Sequence, residues 1–224
     1  MFLLNPFVFS QTQSGYALDP AKVKLLLHFD GNYNDSSNDN VPVTALGNVL
    51  IDSTIKKFGS GSLQYGQMPR DGFLRTSPFF DFGNKRPFTL CLNYNDTHTA
   101  NVTGSLVGTR GSAIYSQFEI RRGAYSLIGN DALSGWDFVP DILYENVNWR
   151  HFAMVADGTN IKFYKNGVIA GSVAHPNWPS MMSFLQFGKD GDNNFSDNRI
   201  DEVLLYDGVL WTSNFTPPTT PFSC

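Results

Sequence analysis

The chain has 224 residues, enough for one large domain with a single hydrophobic core. It is rich in turn formers and aromatic residues, with 20 Gly, 12 Pro and 19 Phe, and only 16% of its residues are charged, a combination that favours an all-β protein. The net charge of -4 and the lack of a basic cluster argue against nucleic-acid binding, and no apolar run approaches the about 18 residues of a membrane span.

Residues 1–22 form an N-terminal segment without a clean hydrophobic period, which ends in the turn-like sequence Leu18-Asp19-Pro20. We interpret this segment as an arm outside the main domain. Its apolar side chains would be costly to expose to water, so we expect the arm to attach to its own domain or to a neighbouring subunit. The attachment residues are Phe2, Leu4, Phe7 and Phe9.

From Val23 onward, short apolar or alternating runs are separated by clusters of Gly, Asn, Asp and Pro, a spacing that predicts the strands of a β-sandwich. Asn166-Gly167 predicts a two-residue type I′ hairpin turn, because both turn residues need a positive φ. The Pro-rich run after Trp211 cannot donate to a β-ladder and is expected to lie across a surface. The predicted strands are Val23–Phe29, Ser62–Tyr65, Phe73–Thr76, Phe88–Tyr94, Ser105–Thr109, Ile114–Arg121, Tyr125–Ile128, Trp149–Ala156, Ile161–Tyr164, Val168–Val173, Phe184–Phe187 and Ile200–Tyr206.

Six segments follow one another in a recognisable order. They are residues 25–31, the Gly-rich residues 57–65, Asp81-Phe82-Gly83 with Phe88-Thr89-Leu90, residues 149–153, the hairpin turn and the closing strand at 200–208. Together they resemble the laminin-G-like, concanavalin-type jelly-roll domains found in virion proteins of tailed bacteriophages. The resemblance implies an all-β, concanavalin A-like (laminin-G-like) jelly-roll β-sandwich of two antiparallel sheets over residues 23–224, including the Pro-rich tail.

Two loops carry the oxygen ligands that calcium prefers, one from Asp30 to Asp35 and one from Asp190 to Asn194. The second loop is not a helix-loop-helix calcium site, because Phe195 takes the position where that loop needs Gly. The resemblance implies one structural calcium near the junction of the first and last strands, at Asp30 and Asp201. The alternative is that these Asp and Asn residues form ordinary Asx turns.

Aromatic side chains beside polar groups at a loop rim would suit a glycan. The alternative for each ring is packing in the core, where most aromatic residues of a sandwich lie. Trp136 and Trp178 lie in loop-like sequence and are the preferred candidates. The full set of candidates is Trp136, Tyr144 and Trp178, followed by Trp211, Tyr115 and Tyr125.

No pattern of catalytic residues stands out. Asp201 and Glu202 are adjacent carboxylates, but neighbours on a strand point to opposite faces, whereas a retaining glycosidase needs two carboxyl groups about 5 Å apart. The chain has no Gly-x-Ser-x-Gly elbow, and its histidines are scattered along the sequence. These are His28, His98, His151 and His175. We therefore predict a chain without catalytic residues.

The sequence thus predicts a non-enzymatic structural protein of a phage virion, displayed on the particle surface, that binds host-surface polysaccharide or neighbouring virion subunits and could form a homo-oligomer. One alternative is a purely structural capsid decoration or tail accessory protein. The other is a glycan-degrading enzyme of the same fold. Nucleic acid and membrane insertion are not expected.

Overall fold

The structure is a computed structural model, and it describes residues 18–65, 71–96, 104–109, 117–121, 125–131, 136–140, 148–196 and 198–224. Within these ranges the chain is all-β, as predicted, with one short 3-10 helix at Pro20–Lys22. The described residues contain no helix that is long and apolar enough to cross a membrane. The strands are β1 (Val23–Leu27), β2 (Val43–Leu46), β3 (Leu50–Asp52), β4 (Ser62–Gln64), β5 (Phe73–Thr76), β6 (Phe80–Asp81), β7 (Phe88–Asp96), β8 (Ser105–Gly108), β9 (Phe118–Arg121), β10 (Tyr125–Gly129), β11 (Trp136–Pro140), β12 (Trp149–Ala156), β13 (Asn160–Lys165), β14 (Val168–Ala174), β15 (Met182–Ser183), β16 (Gln186–Phe187) and β17 (Asn198–Tyr206).

Two antiparallel sheets form the sandwich. The eight-stranded sheet has the order β14-β13-β12-β7-β17-β4-β3, and β1 pairs with β17 beside β4. The seven-stranded sheet has the order β11-β10-β9-β8-β16-β5-β2, and β6 pairs with β15 in a small separate ladder. Most neighbours in the sheets are distant in sequence, so the jelly roll depends on long-range pairing.

The main core lies between the two sheets. Alternate residues of each strand point into it, as the period of two along a strand requires. On β12, Phe152 and Met154 belong to this inner core. Near one end of the core, Phe82 packs edge-on against Phe88 at 5.0 Å and against Phe118 at 5.3 Å between ring centroids.

A second apolar cluster covers the outer face of the eight-stranded sheet. Ala153 and Val155 of β12, which alternate with the inner-core residues, face this side. The C-terminal tail packs on them, with the ring of Trp211 stacked on Phe215 at 3.9 Å between centroids and an interplanar angle of 5°. The prediction that the Pro-rich tail lies across a surface is confirmed. Central strands buried on both faces also explain the continuous apolar runs in the sequence.

The hairpin between β13 and β14 is confirmed. Asn166 has a φ of 49° and Gly167 a φ of 77°, the two left-handed residues that a type I′ turn requires. The strands at 73–76 and 149–156 match the predicted bounds. Five short strands had not been predicted, because each has no more than five residues and lacks a strong run of its own: β2, β3, β6, β11 and β15.

The described part of the domain begins earlier than the predicted boundary after residue 22. Leu18 belongs to the apolar cluster under the tail, and Asp19 caps the 3-10 helix by accepting a hydrogen bond from the Ala21 N–H at 3.1 Å. The Lys22 carbonyl then accepts from the Asp207 N–H. Residues 18–22 therefore pack with the sandwich. The predicted attachment residues Phe2, Leu4, Phe7 and Phe9 lie outside the described residues.

Candidate functional site

Asp201, one of the two predicted calcium ligands, is fully buried on β17. Its Oδ2 accepts hydrogen bonds from the backbone N–H groups of Lys57 at 2.8 Å and Phe58 at 3.0 Å. Burial raises the pKa of the Asp201 carboxyl to about 7, although these two N–H donors act in the opposite direction. Asp201 therefore fixes the start of the Gly-rich segment 57–61.

Asp30, the other predicted calcium ligand, holds the end of the same segment. Its Oδ1 accepts hydrogen bonds from the backbone N–H groups of Ser60 and Gly61. Calcium takes six to eight oxygen ligands. One oxygen of each carboxylate is used by backbone donors, and in the described ranges no three His, Cys, Asp or Glu side chains come together as a metal-binding group. This donor set fits calcium poorly, and calcium at this junction stays a prediction.

Glu202, the neighbour of Asp201, sits at a β-bulge of β17 with a left-handed φ of 54°. Its Oε1 lies 2.8 Å from His28 Nδ1, and its Oε2 accepts a hydrogen bond from the Phe222 N–H at 3.1 Å. The hydrogen bond to Glu202 raises the pKa of His28. Asp201 and Glu202 thus hold different segments of the chain.

The structure contradicts Trp178 as a sugar-binding residue. Although it lies outside the strands, its side chain is fully buried, and its indole N–H donates to the Gly129 carbonyl at 2.6 Å. A ring inside the core has no face to offer a glycan. Trp136 begins β11, but its side chain lies outside the described residues, as does the whole of Tyr144.

Two surface cations and three aromatic rings alternate on the outer face of the seven-stranded sheet. We call them the cation–aromatic row. Its order is Phe184, Arg75, Phe73, Lys189, Phe195. Arg75 Cζ lies 4.7 Å from the ring centroid of Phe184 and 5.4 Å from that of Phe73. Lys189 Nζ lies 4.7 Å from the centroid of Phe73 and 5.5 Å from that of Phe195. All five side chains are half-buried.

Strand alternation and one buried glutamine position the row. Leu74 points into the core, so Phe73 and Arg75 on either side of it face outward. Gln186, paired with Arg75 in the ladder and 1% exposed, accepts from Arg75 Nε at 2.9 Å and donates from Nε2 to the Lys189 carbonyl at 2.8 Å. A single amide therefore fixes both the guanidinium and the backbone that carries the lysine.

Both cations of the row lack a carboxylate partner in the part of the chain that the structure describes. Among the described residues, no Asp or Glu forms an ion pair with Arg75 or Lys189. The carboxylates of the adjoining turn bind Arg121 instead, with Asp192 at 2.8 Å and Asp190 at 3.6 Å from its Nη2. The row is therefore a positive, aromatic surface on a chain whose net charge is -4.

Comparison with known families identifies the domain. Residues 71–213 match a laminin G family model described as the concanavalin A-like lectin/glucanases superfamily. The chain belongs to this superfamily. No curated protein sequence matches it. The matched range includes both the cation–aromatic row and the closing strand of the superfamily domain.

Solved structures with similar folds include binding domains. One is domain 4 of AbnA, a GH43 extracellular arabinanase from Geobacillus stearothermophilus, solved in complex with arabinotriose. It has a TM-score of 0.63 at 20% identity, and the match covers 85% of this chain and 94% of the AbnA domain. The binding domain of Paraclostridial Mosquitocidal Protein 1 has a TM-score of 0.66 at 14% identity, over 86% of this chain and 50% of its own. A structure of botulinum neurotoxin type C, a toxin whose cell entry depends on interaction with two ganglioside molecules, has a TM-score of 0.65 at 13% identity. The match covers 86% of this chain and 49% of the toxin chain. The chain spans about half the length of the two toxin chains.

Sequence reasoning missed the cation–aromatic row of this superfamily domain. One signal was available, since Phe73 and Arg75 are two residues apart in a predicted strand and therefore share one face. The partners Gln186 of β16 and Phe184 just before it lie more than one hundred residues later, and no local pattern predicts that β5 and β16 pair. The search for sugar-binding residues also favoured Trp and Tyr in loops, whereas the row contains Phe.

Proposed function

We propose that this chain is a non-catalytic, lectin-like domain that binds glycans on the outer face of its seven-stranded sheet. The observation that carries the proposal is the cation–aromatic row. Half-buried rings offer apolar faces for the CH surface of a sugar, and the fixed guanidinium and ammonium groups offer hydrogen-bond donors. The similarity to the AbnA domain solved with arabinotriose and to a ganglioside-dependent toxin supports this choice.

The proposed biological setting is the surface of a phage virion, where the domain would bind host-surface polysaccharide. The support is the closing strand Arg199 to Gly208 and the Pro-rich tail, which resemble those of virion proteins. In this proposal the N-terminal arm attaches the domain to neighbouring virion subunits. Deletion of residues 1–17 should then abolish incorporation into particles, and retained incorporation would contradict an attachment role.

A purely structural decoration or tail accessory role is the second candidate. It is favoured by exposed apolar side chains on edge strands of both sheets, Leu46 of β2 at 38% exposure and Leu50 of β3 at 52%. Apolar groups left on adjoining sheet edges suit contact with another subunit. This role predicts tight association with particles and no affinity for glycans.

The test combines three measurements. The purified full chain is applied to an array of neutral and acidic bacterial polysaccharides, and the polysaccharides that bind are incubated with it and sized by chromatography. Binding without shortening supports the proposal, shortening shows a glycan-degrading enzyme, and no binding favours the structural role. Immunogold labelling of purified particles tests the setting, and unlabelled particles would contradict it.

Calcium at Asp30 and Asp201 needs its own test, because a structural calcium ion would raise the stability of the fold rather than bind a glycan. The melting temperature is measured in millimolar CaCl2 and in EDTA for the natural chain and for Asp201→Asn, which keeps an oxygen to accept the N–H groups of Lys57 and Phe58. A calcium-dependent rise that Asp201→Asn removes would establish the site. Equal melting temperatures would show that the two carboxylates serve segment 57–61 alone.

A further inference from the structure

The ligand class follows from the charge of the cation–aromatic row. A neighbouring cation of the same surface is paired with carboxylates, since Arg121 lies 3.0 Å from Glu119 and 2.8 Å from Asp192. Arg75 and Lys189 have aromatic rings and one amide as neighbours instead. Two positive charges, both within 5.4 Å of the centroid of the same Phe73 ring, are left without a negative partner among the described residues.

We propose that the row selects acidic glycans, with Arg75 and Lys189 binding carboxylate, sulfate or phosphate groups on sugars whose apolar faces pack on Phe73, Phe184 and Phe195. This inference rests on the proposed glycan binding and specifies its ligand. The guanidinium presents planar donors that match an oxyanion, and it is held ready because Gln186 fixes its Nε. Less side-chain entropy is then lost when an anion binds.

The geometry of the row favours a polysaccharide over a nucleic acid. A nucleic-acid surface needs a track of many cations along a phosphate backbone. Here two cations alternate with three Phe rings, and the adjoining turn carries the acidic Asp190 and Asp192. The edge strand beside the row adds uncharged exposed side chains, Thr44 opposite Arg75 and Leu46 opposite Phe73. This mixture of isolated charges, rings and a hydroxyl suits a sugar chain with spaced anionic groups.

The experiment compares ligands that differ in charge alone. Affinities of the full chain are measured by calorimetry for polygalacturonate and its fully methyl-esterified form, for dextran sulfate and dextran, for phosphomannan and mannan, and for single-stranded DNA. We expect at least one acidic polysaccharide to bind roughly tenfold or more tightly than its neutral counterpart, and salt to weaken that binding. Which acidic member binds distinguishes carboxylate, sulfate and phosphate.

Matched variants assign the effect to the row. Lys189→Gln removes a cation whose only described side-chain contacts are with aromatic rings, so the fold should be kept. Lys56→Gln removes an exposed lysine elsewhere and is the control. We expect Lys189→Gln to weaken acidic-glycan binding roughly five- to tenfold, Arg75→Gln with Lys189→Gln to abolish it, and Lys56→Gln to leave it unchanged.

The remaining outcomes overturn the inference. Binding of neutral glycans that is indifferent to Lys189→Gln would refute the acidic-ligand inference while glycan binding stands. Binding of none of the polysaccharides would refute both. Binding of DNA alone, or equal losses in Lys189→Gln and Lys56→Gln, would show that the row is not a glycan site.

Discussion

The two outer faces of this sandwich differ in what covers them. The chain's own tail covers the outer face of the eight-stranded sheet, where Trp211 and Phe215 stack above buried apolar side chains. The outer face of the seven-stranded sheet carries Arg75 and Lys189 between half-buried rings. Aromatic residues are common on both faces, so aromatic content alone does not distinguish a core from a binding surface. The difference lies in what accompanies the rings. Apolar groups accompany them on one face, and on the other face they accompany cations that have no carboxylate partner among the described residues.

His151 shows how deeply the tail buries this face. Its ring lies edge-on to Trp211 and to Phe215, each at 5.7 Å between centroids, and neither ring nitrogen has a hydrogen-bond partner among the described residues. Burial lowers the pKa of His151 to about 3, so the side chain is neutral in the fold.

The largest effect should come from truncating the tail's anchor. Trp211→Ala removes the stack on Phe215 and the contact with His151, and we expect it to lower the free energy of unfolding by about 3–5 kcal/mol. Met182→Ala, which truncates a side chain that is 57% exposed, is the control and should stay within about 0.5 kcal/mol. Urea denaturation measures both. Equal small losses would show that the tail is only loosely attached.

The hairpin turn gives a sharper test of the tail's docking. Gly167 accepts a hydrogen bond from the Phe215 N–H at 2.9 Å, and a Cβ added to it would lie 1.9 Å from the Phe215 carbonyl oxygen. Gly167→Ala should therefore cost about 2–3 kcal/mol. Gly31→Ala is the matched control, because Gly31 also has a positive φ but nothing lies within 4 Å of its added Cβ. Its cost should be about 1 kcal/mol, from backbone strain alone. Equal costs would rule out a close contact at the turn.

The pH dependence of stability tests whether the tail-covered face stays dry. The folded-state pKa of His151, about 3, lies below its unfolded value of 6.5, so the unfolded state binds more protons and stability falls as pH drops from 6.5 towards 3. The slope is at most about 1.4 kcal/mol per pH unit for each such histidine. His151→Phe should remove this slope, while buried His175, with a pKa of about 4, retains its own. Denaturation of both proteins from pH 7 to pH 4 measures the difference, which should grow as pH falls. A constant difference would mean that water reaches His151.

The smallest effect on stability should come from the open face. Lys189→Gln removes a partly exposed cation from two rings and should change the free energy of unfolding by less than about 0.5–1 kcal/mol, because exposed cation–π contacts contribute little. Urea denaturation beside Trp211→Ala gives the comparison. A loss as large as that of Trp211→Ala would make the row part of the structural framework rather than a binding surface.

The sequence predicted the regular parts of this molecule and missed the parts that depend on pairing. The short strand-forming runs at 73–76 and 149–156 and the Asn166-Gly167 turn are local signals, and the structure confirms them. Trp178 lies in loop-like sequence, with Pro and Asn around it, and was therefore a sugar-binding candidate, but the sandwich closes over it, which no local pattern records. The cation–aromatic row was missed because β5 and β16 are joined by long-range pairing. Trp136, Tyr144 and the N-terminal attachment residues stay predictions.

The most direct test of the account is to observe which face responds to a ligand. The full chain, labelled with carbon-13 in its aromatic rings, is titrated with oligogalacturonate while aromatic NMR signals are followed. The account predicts shifts for Phe73, Phe184 and Phe195 and unchanged signals for Trp211 and Phe215. Shifts confined to Trp211 and Phe215, or equal responses on both faces, would contradict it.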